Sequence, residues 1–387
     1  MTNLRRFCSL ILLLIGPLAL VAVRGGATAS AEKTYRAYVG TYTAKTNSKG
    51  IYEFEFDPAT GKMSAVQVAA ETNDPSWVVV HPNGKYLYSV NEIGKASTVS
   101  AFAIDPKNGK LTLLNQLPSL GEDPCYLAFD KTGKVLFVAN YTSGNIVVFP
   151  ILADGKLGEH TALQQDSGTL GPNKERQEAP HAHFIMPSKH NRFVYVSDLG
   201  LDRVLIYKFD YAKGGLEQVP GNSWAILKPG TGPRHIVFSK DGKFMYVLGE
   251  MASAVTVFAN KDQQTFQAIQ TVPMLPAGFS ERNDAAEIEL HPSGKFLYAS
   301  NRGQDSIVVY SVDQKFGTLT QVEVVPTSGK EPRHFAIDPT GHFLLAENQL
   351  SDTIVEFRID LATGKLTLAG ETIAVPSPVC ITFLPDE

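Results

Sequence analysis

Seven times along the chain a β-forming run opens after a small or proline residue, reverses at a tight turn and climbs again to a polar residue or glycine, as in Pro233-Arg-His-Ile-Val-Phe-Ser-Lys-Asp-Gly-Lys-Phe-Met-Tyr-Val-Leu-Gly-Glu250. The other copies begin near Pro75, Pro124, Pro180, Ala285, Pro332 and Pro378. A period of about 46 to 56 residues, rich in β-branched and aromatic side chains, signals stacked β-blades rather than a helical solenoid.

Each inner hairpin is followed by an alternating strand, such as Ile146-Val-Val-Phe, Val204-Leu-Ile-Tyr or Ile307-Val-Val-Tyr, and then by a polar turn into an edge strand. The outer turns read Thr60-Gly-Lys, Asn108-Gly-Lys, Asp154-Gly-Lys, Gly214-Gly, Phe316-Gly and Thr363-Gly-Lys; the one near Asp262 lacks glycine. Four short strands with glycine at the reversals make an antiparallel blade, so the expected fold is an all-β, seven-bladed propeller. The seventh copy is split. Val379-Cys-Ile-Thr-Phe supplies a first inner strand near the C-terminus, and Tyr35-Arg-Ala-Tyr-Val-Gly-Thr-Tyr supplies the second near the N-terminus. Pairing of these two segments should close the ring and remove its exposed edges.

The 387 residues carry a formal net charge of -4, and no basic stripe suggests a nucleic-acid partner. Arg5-Arg6, the apolar stretch from Phe7 to Val23 and the small residues to Ala29-Ser-Ala31 resemble a secretory leader cleaved before Glu32. The expected organisation is a leader over 1–31 and one propeller over 32–387, periplasmic or secreted, monomeric and free of the membrane once the leader is removed. Cys125 and Cys380 fall at the starts of blades that are not neighbours, which favours free buried thiols.

Because the two inner strands are antiparallel, the start of the first and the end of the second share one face of the disc. Aligning the repeats on their turns gives a first ring of Ser76, Cys125, His183, Arg234, Ala286, Arg333 and Val379, and a second of Tyr42, Glu92, Tyr141, Leu199, Glu250, Arg302 and Gln349. Positions with a purely structural task should repeat from blade to blade; these do not. His183, Arg234, Glu250, Arg302 and Arg333 crowd the channel mouth from the third blade to the sixth, and three cations beside an acid and a potential base suit a small anionic ligand. Glu287 either joins them or points into its blade. His181 lines the pocket or caps its strand. His81 and His291 lie on the opposite face and read as structural; His235 and His334 read as packed between blades. The segment from about Asp166 to Glu178, just before His183, has the length and position of a lid or specificity loop.

Pro180-His-Ala-His183, Ser197-Asp-Leu-Gly-Leu-Asp-Arg-Val204, Gly232-Pro-Arg-His235, Gly249-Glu250, Ser300-Asn-Arg302 and Pro332-Arg-His334 resemble the seven-bladed lactonase family. This family includes propeller-type 6-phosphogluconolactonases and carboxymuconate-lactonizing enzymes. The resemblance implies proton transfer by His183 and Glu250, with Arg234 as a third catalytic residue. It places Arg234 and Arg302 on the substrate's carboxylates; Arg333 is the candidate for the distal anion, and His181, Asp198 and Glu287 are further candidate substrate contacts. No carboxylate cluster of the kind a calcium-dependent lactonase would use is evident, so neither metal nor cofactor is expected. A Glu among arginines should have a depressed pKa, which favours His183 as the proton acceptor. The activity implied is hydrolysis of a sugar lactone or related anionic lactone by an exported enzyme. A muconate-type cycloisomerase and a non-catalytic binding propeller are the alternatives.

Overall fold

The computed structural model describes residues 34–219 and 224–385; the expected leader lies outside them. The strands form seven antiparallel sheets. In the first blade Val78–Val80, Tyr86–Asn91, Thr98–Ile104 and Leu111–Pro118 pair in chain order. The second, fourth, fifth and sixth blades repeat this arrangement over Pro124–Gln165, Pro233–Pro273, Asp284–Pro326 and Pro332–Ala374. The third, opening at Ala182–Pro187, has a fifth short strand, Ala225–Ile226. The seventh is closed as the split repeat predicts: Pro378–Pro385 pairs antiparallel with Tyr35–Thr41, which leads on to Gly50–Phe56 and Gln67–Glu71.

The core is distributed between blades. Tyr88, Val90 and Val99 of the first blade pack against Leu127, Leu136 and Val138 of the second, and Ala37, Val39 and Phe54 of the seventh pack against Phe343, Leu345 and Ile354 of the sixth. Polar pins complement this packing. The hydroxyls of Tyr38, Tyr88 and Tyr298 donate to the carbonyls of Gly109, Gly155 and Gly364 in the outer turn of the following blade, at 3.1, 2.7 and 2.7 Å. Gly155 and Gly364 have φ of +83° and +76°, a left-handed conformation that glycine adopts without Cβ strain. On the other side, rings of His81 and His291 lie 2.7 and 2.8 Å from the carbonyls of Gly133 and Gly341 in the neighbouring blade's inner turn, which accounts for both as structural.

One irregularity decides what lines the channel. The first inner strand carries an extra residue at its start, which the ladder skips. Ala182 pairs Asp198 and Phe184 pairs Ser197, leaving out His183. The same shift leaves out Cys125, Arg333 and Val379 in the second, sixth and seventh blades. In the fourth and fifth it leaves Arg234-His235 and Ala286-Glu287 in the gap. Bulged residues escape strict alternation, so two successive side chains can turn to the channel. Removing residues 378–387 should expose the edge of Tyr35–Thr41 and open the ring. We expect calorimetry to lose the single sharp unfolding transition and size-exclusion chromatography to show aggregates; a monomer with wild-type melting would contradict this closure.

Candidate functional site

Glu250 follows the fourth blade's strand Phe244–Gly249, held by its own N–H to Gly232 O at 2.8 Å and by the Ala285 N–H on its carbonyl at 3.0 Å. Its buried carboxylate is enclosed by three guanidinium groups: Arg234 Nε at 3.3 Å, Arg302 Nη2 at 3.2 Å and Arg176 Nη2 at 2.5 Å. Arg234 and Arg302 make ion contacts with it, while their aligned hydrogen bonds go to the fifth blade's backbone. Arg234 donates to Ala286 O, and Arg302 to Asp284 O and Ala285 O, both at 3.3 Å. Their positions are therefore fixed by the wall as well as by Glu250.

Burial alone would raise the Glu250 pKa, but the guanidinium groups of Arg302, Arg234 and Arg176 outweigh it and hold the carboxyl far below the usual range. Arg234 is pushed down to about 10 by burial and by neighbouring Arg302 and Arg333. It stays charged at neutral pH, in a site with more positive charge than Glu250 cancels. His183 is driven well below the ordinary imidazole value by burial, Arg234 and His235, so its ring is neutral at pH 7. Its buried Nδ1 has no hydrogen-bond partner. Cys125, which gives its thiol hydrogen to His183 O at 3.4 Å, is raised above its ordinary value by burial and is unsuited to nucleophilic attack.

Arg333 stands apart from the Glu250 group. It donates to Tyr42 Oη at 3.0 Å and lies over that ring at 5.3 Å. Tyr42 in turn donates to Glu92 at 2.7 Å, and Glu92 also accepts from Ser76 at 2.5 Å. The structure thus gathers His183, Arg234, Glu250 and Arg302 as the ring alignment predicts, with Arg333 on the sixth blade among the groups acting on Glu250's neighbours.

Other expected site residues are placed elsewhere. Asp198 is fully buried and its Oδ1 accepts from the N–H groups of His181 and Leu201, both at 2.9 Å. The structure does not join it to the arginine group; its carboxylate braces the bend after its strand. His181 stacks on Tyr141 at 4.6 Å, with Nδ1 3.0 Å from Tyr141 O and Nε2 3.2 Å from Glu178; it ties the preceding loop to the second blade. Glu287 lies 3.0 Å from His235 Nδ1 and 3.5 Å from His334 Nε2, while His334 Nδ1 is 2.5 Å from Glu347. Burial pushes His334 down to about 4, against the opposing pull of Glu287. Glu287 therefore belongs to a buried His–carboxylate network. Cys125 and Cys380 are free and buried. Among the described residues no group of three His, Cys, Asp or Glu side chains is arranged to hold a metal ion.

Sequence reasoning overlooked Arg176. It sits in the loop between Ala162–Gln165 and Ala182–Pro187, outside any repeat register; the sequence marked the segment as a lid or specificity loop without singling out this residue.

A family model described as "Lactonase, 7-bladed beta-propeller" matches residues 36–383. The chain is 38% identical over 351 residues to a 6-phosphogluconolactonase of Bacillus subtilis (strain 168), covering 90% of this chain and 98% of that protein. It is 35% identical over 309 residues to a 6-phosphogluconolactonase of Formosa agariphila, covering 78% and 86%. The crystal structure of a periplasmic gluconolactonase from Pseudomonas aeruginosa superposes with a TM-score of 0.85 at 33% identity, over 91% of this chain and 99% of that one.

Removing the carboxylate shared by His235 and His334 leaves buried polar groups without their partner, so Glu287→Ala should destabilise the fold by about 3 to 5 kcal/mol. Urea unfolding checks this; a midpoint equal to wild type would return Glu287 to the substrate pocket.

Proposed function

The chain belongs to the seven-bladed β-propeller lactonase family, and from that premise we propose that it hydrolyses an anionic sugar lactone of the 6-phosphogluconolactone type. The observation that carries the reading is the neutral, partly unpartnered His183 beside a carboxylate already neutralised by arginines. Glu250 has too low a proton affinity to serve well as a base. It aligns Arg234 and Arg302, and so organises a positive wall. His183 accepts a proton from water as the water oxygen attacks the lactone carbonyl. The negative charge on the tetrahedral oxygen is stabilised by the guanidinium groups, which are already oriented before reaction. Collapse breaks the ring C–O bond, and the imidazolium returns its proton to the leaving alkoxide, giving the open hydroxy acid. Every step uses protein side chains and water alone. Arg333, which lies against Tyr42, is one of the arginines that can receive the substrate's distal anion.

We also read the chain as exported. Arg5-Arg6 with the apolar run from Phe7 to Val23 supports this, as does the likeness to a structure named as a periplasmic gluconolactonase. Mass spectrometry of the protein recovered from its source cell should find an N-terminus at Glu32; retention of residues 1–31 would contradict cleavage.

Acid release at constant pH from phosphorylated and unphosphorylated aldonolactones tests the activity. His183→Ala should lower kcat by about 10²- to 10⁴-fold, the range of a positioned proton acceptor. A cyclic product, or no turnover above the spontaneous rate, would defeat the hydrolase reading. Because His183 lies below the ordinary value of 6.5, it stays unprotonated as pH falls through 6.5. The acid limb of kcat/KM should therefore lie below 6.5, and a limb at or above that value would contradict a buried neutral base.

A further inference from the structure

Arg176 differs from the other two guanidinium groups on Glu250 in how it is held. The side chains of Arg234 and Arg302 are only 4% and 6% exposed, whereas that of Arg176 is 37% exposed. The first two are tied to fifth-blade carbonyls. Arg176 has side-chain partners only: Glu250 at 2.5 Å, Tyr141 Oη at 3.4 Å and Asp284 at 3.5 Å. Its guanidinium can leave Glu250 without disturbing a strand.

The backbone beneath it is, by contrast, anchored. Gln177 donates its N–H to Asn173 O at 2.7 Å and its side-chain amide to Leu199 O at 2.9 Å, while accepting from Asn173 N–H at 3.1 Å. Glu178 is joined to His181, and Gly171 N–H bonds Gly200 O at 2.8 Å. A preorganised loop thus presents a solvent-touching cation at the mouth, over a charge that two buried arginines already neutralise.

We infer that Arg176 is a specificity-determining residue that exchanges Glu250 for the phosphate of a phosphorylated lactone, making this loop the element that selects phosphorylated over unphosphorylated substrates. The inference rests on the lactonase reading for its kinetic consequence. Binding alone does not need that reading. A planar fork suits the phosphate, and losing its charge-assisted hydrogen bonds should be felt as affinity for the phosphorylated ligand.

The test compares wild type with Arg176→Ala and Arg176→Lys. On 6-phosphoglucono- and gluconolactone, the ratio of kcat/KM values, phosphorylated over unphosphorylated, should fall about 10- to 100-fold in Arg176→Ala, mainly through KM. Arg176→Lys should recover part of it. Calorimetry with the products 6-phosphogluconate and gluconate reads the same preference without turnover. An unchanged ratio of their affinities in Arg176→Ala overturns the inference whatever the kinetics show, as does equal loss on both lactones. Wild type that turns over neither lactone while Arg176→Ala loses its preference for the phosphorylated product sinks the lactonase reading and leaves the anion site standing.

Discussion

A register shift at the start of the first inner strand, present in the second to seventh blades, governs the chemistry of this propeller. In a regular ladder, alternate side chains face opposite sides of the blade, and His183, Arg234 and Arg333 would compete with the inter-blade core. The bulge takes them out of the ladder, as the pairing of Ala182 with Asp198 and Phe184 with Ser197 illustrates. The blades can then keep a repetitive apolar interior while the channel varies freely. Stability and function occupy different positions of the same repeat. This is why His81 and His291 brace neighbouring turns while His183 is left with an unpartnered nitrogen.

The electrostatics are layered in the same way. At the mouth, an ionised Glu250 holds cations together, while burial and Arg234 keep His183 neutral against the carboxylate's pull. His235, His334, Glu287 and Glu347 form a second buried group, and the rings of both histidines meet the Trp77 ring edge to face at 5.5 and 5.3 Å. Burying so many ionisable groups is costly unless each is paired. Several buried polar atoms nevertheless lack a hydrogen-bond partner, Glu347 Oε1 and His183 Nδ1 among them.

The architecture was legible because it is repeated: turn glycines, strand alternation and a split seventh copy are all sequence patterns. The Glu250 group was legible for the opposite reason, since aligning the repeats exposes positions that refuse to repeat. Asp198 stands one residue before the ring position Leu199. Family likeness favoured it, but alternation sends its side chain to the backbone of the bend. Glu287 was ambiguous because parity cannot be read across a bulge. Arg176 was invisible to alignment, being carried by an insertion whose fold depends on contacts with Leu199 and Gly200 rather than on any internal periodicity.

The central claim is that arginines keep Glu250 ionised and unreactive while His183 remains a neutral base. The most direct measurement is an NMR titration of ring-labelled histidine, with the His183 signal assigned by its absence in His183→Ala. The account predicts a neutral His183 ring from pH 8 down through 6.5, the ordinary imidazole value. An imidazolium at pH 7 would contradict it, and would move the role of proton acceptor away from this residue.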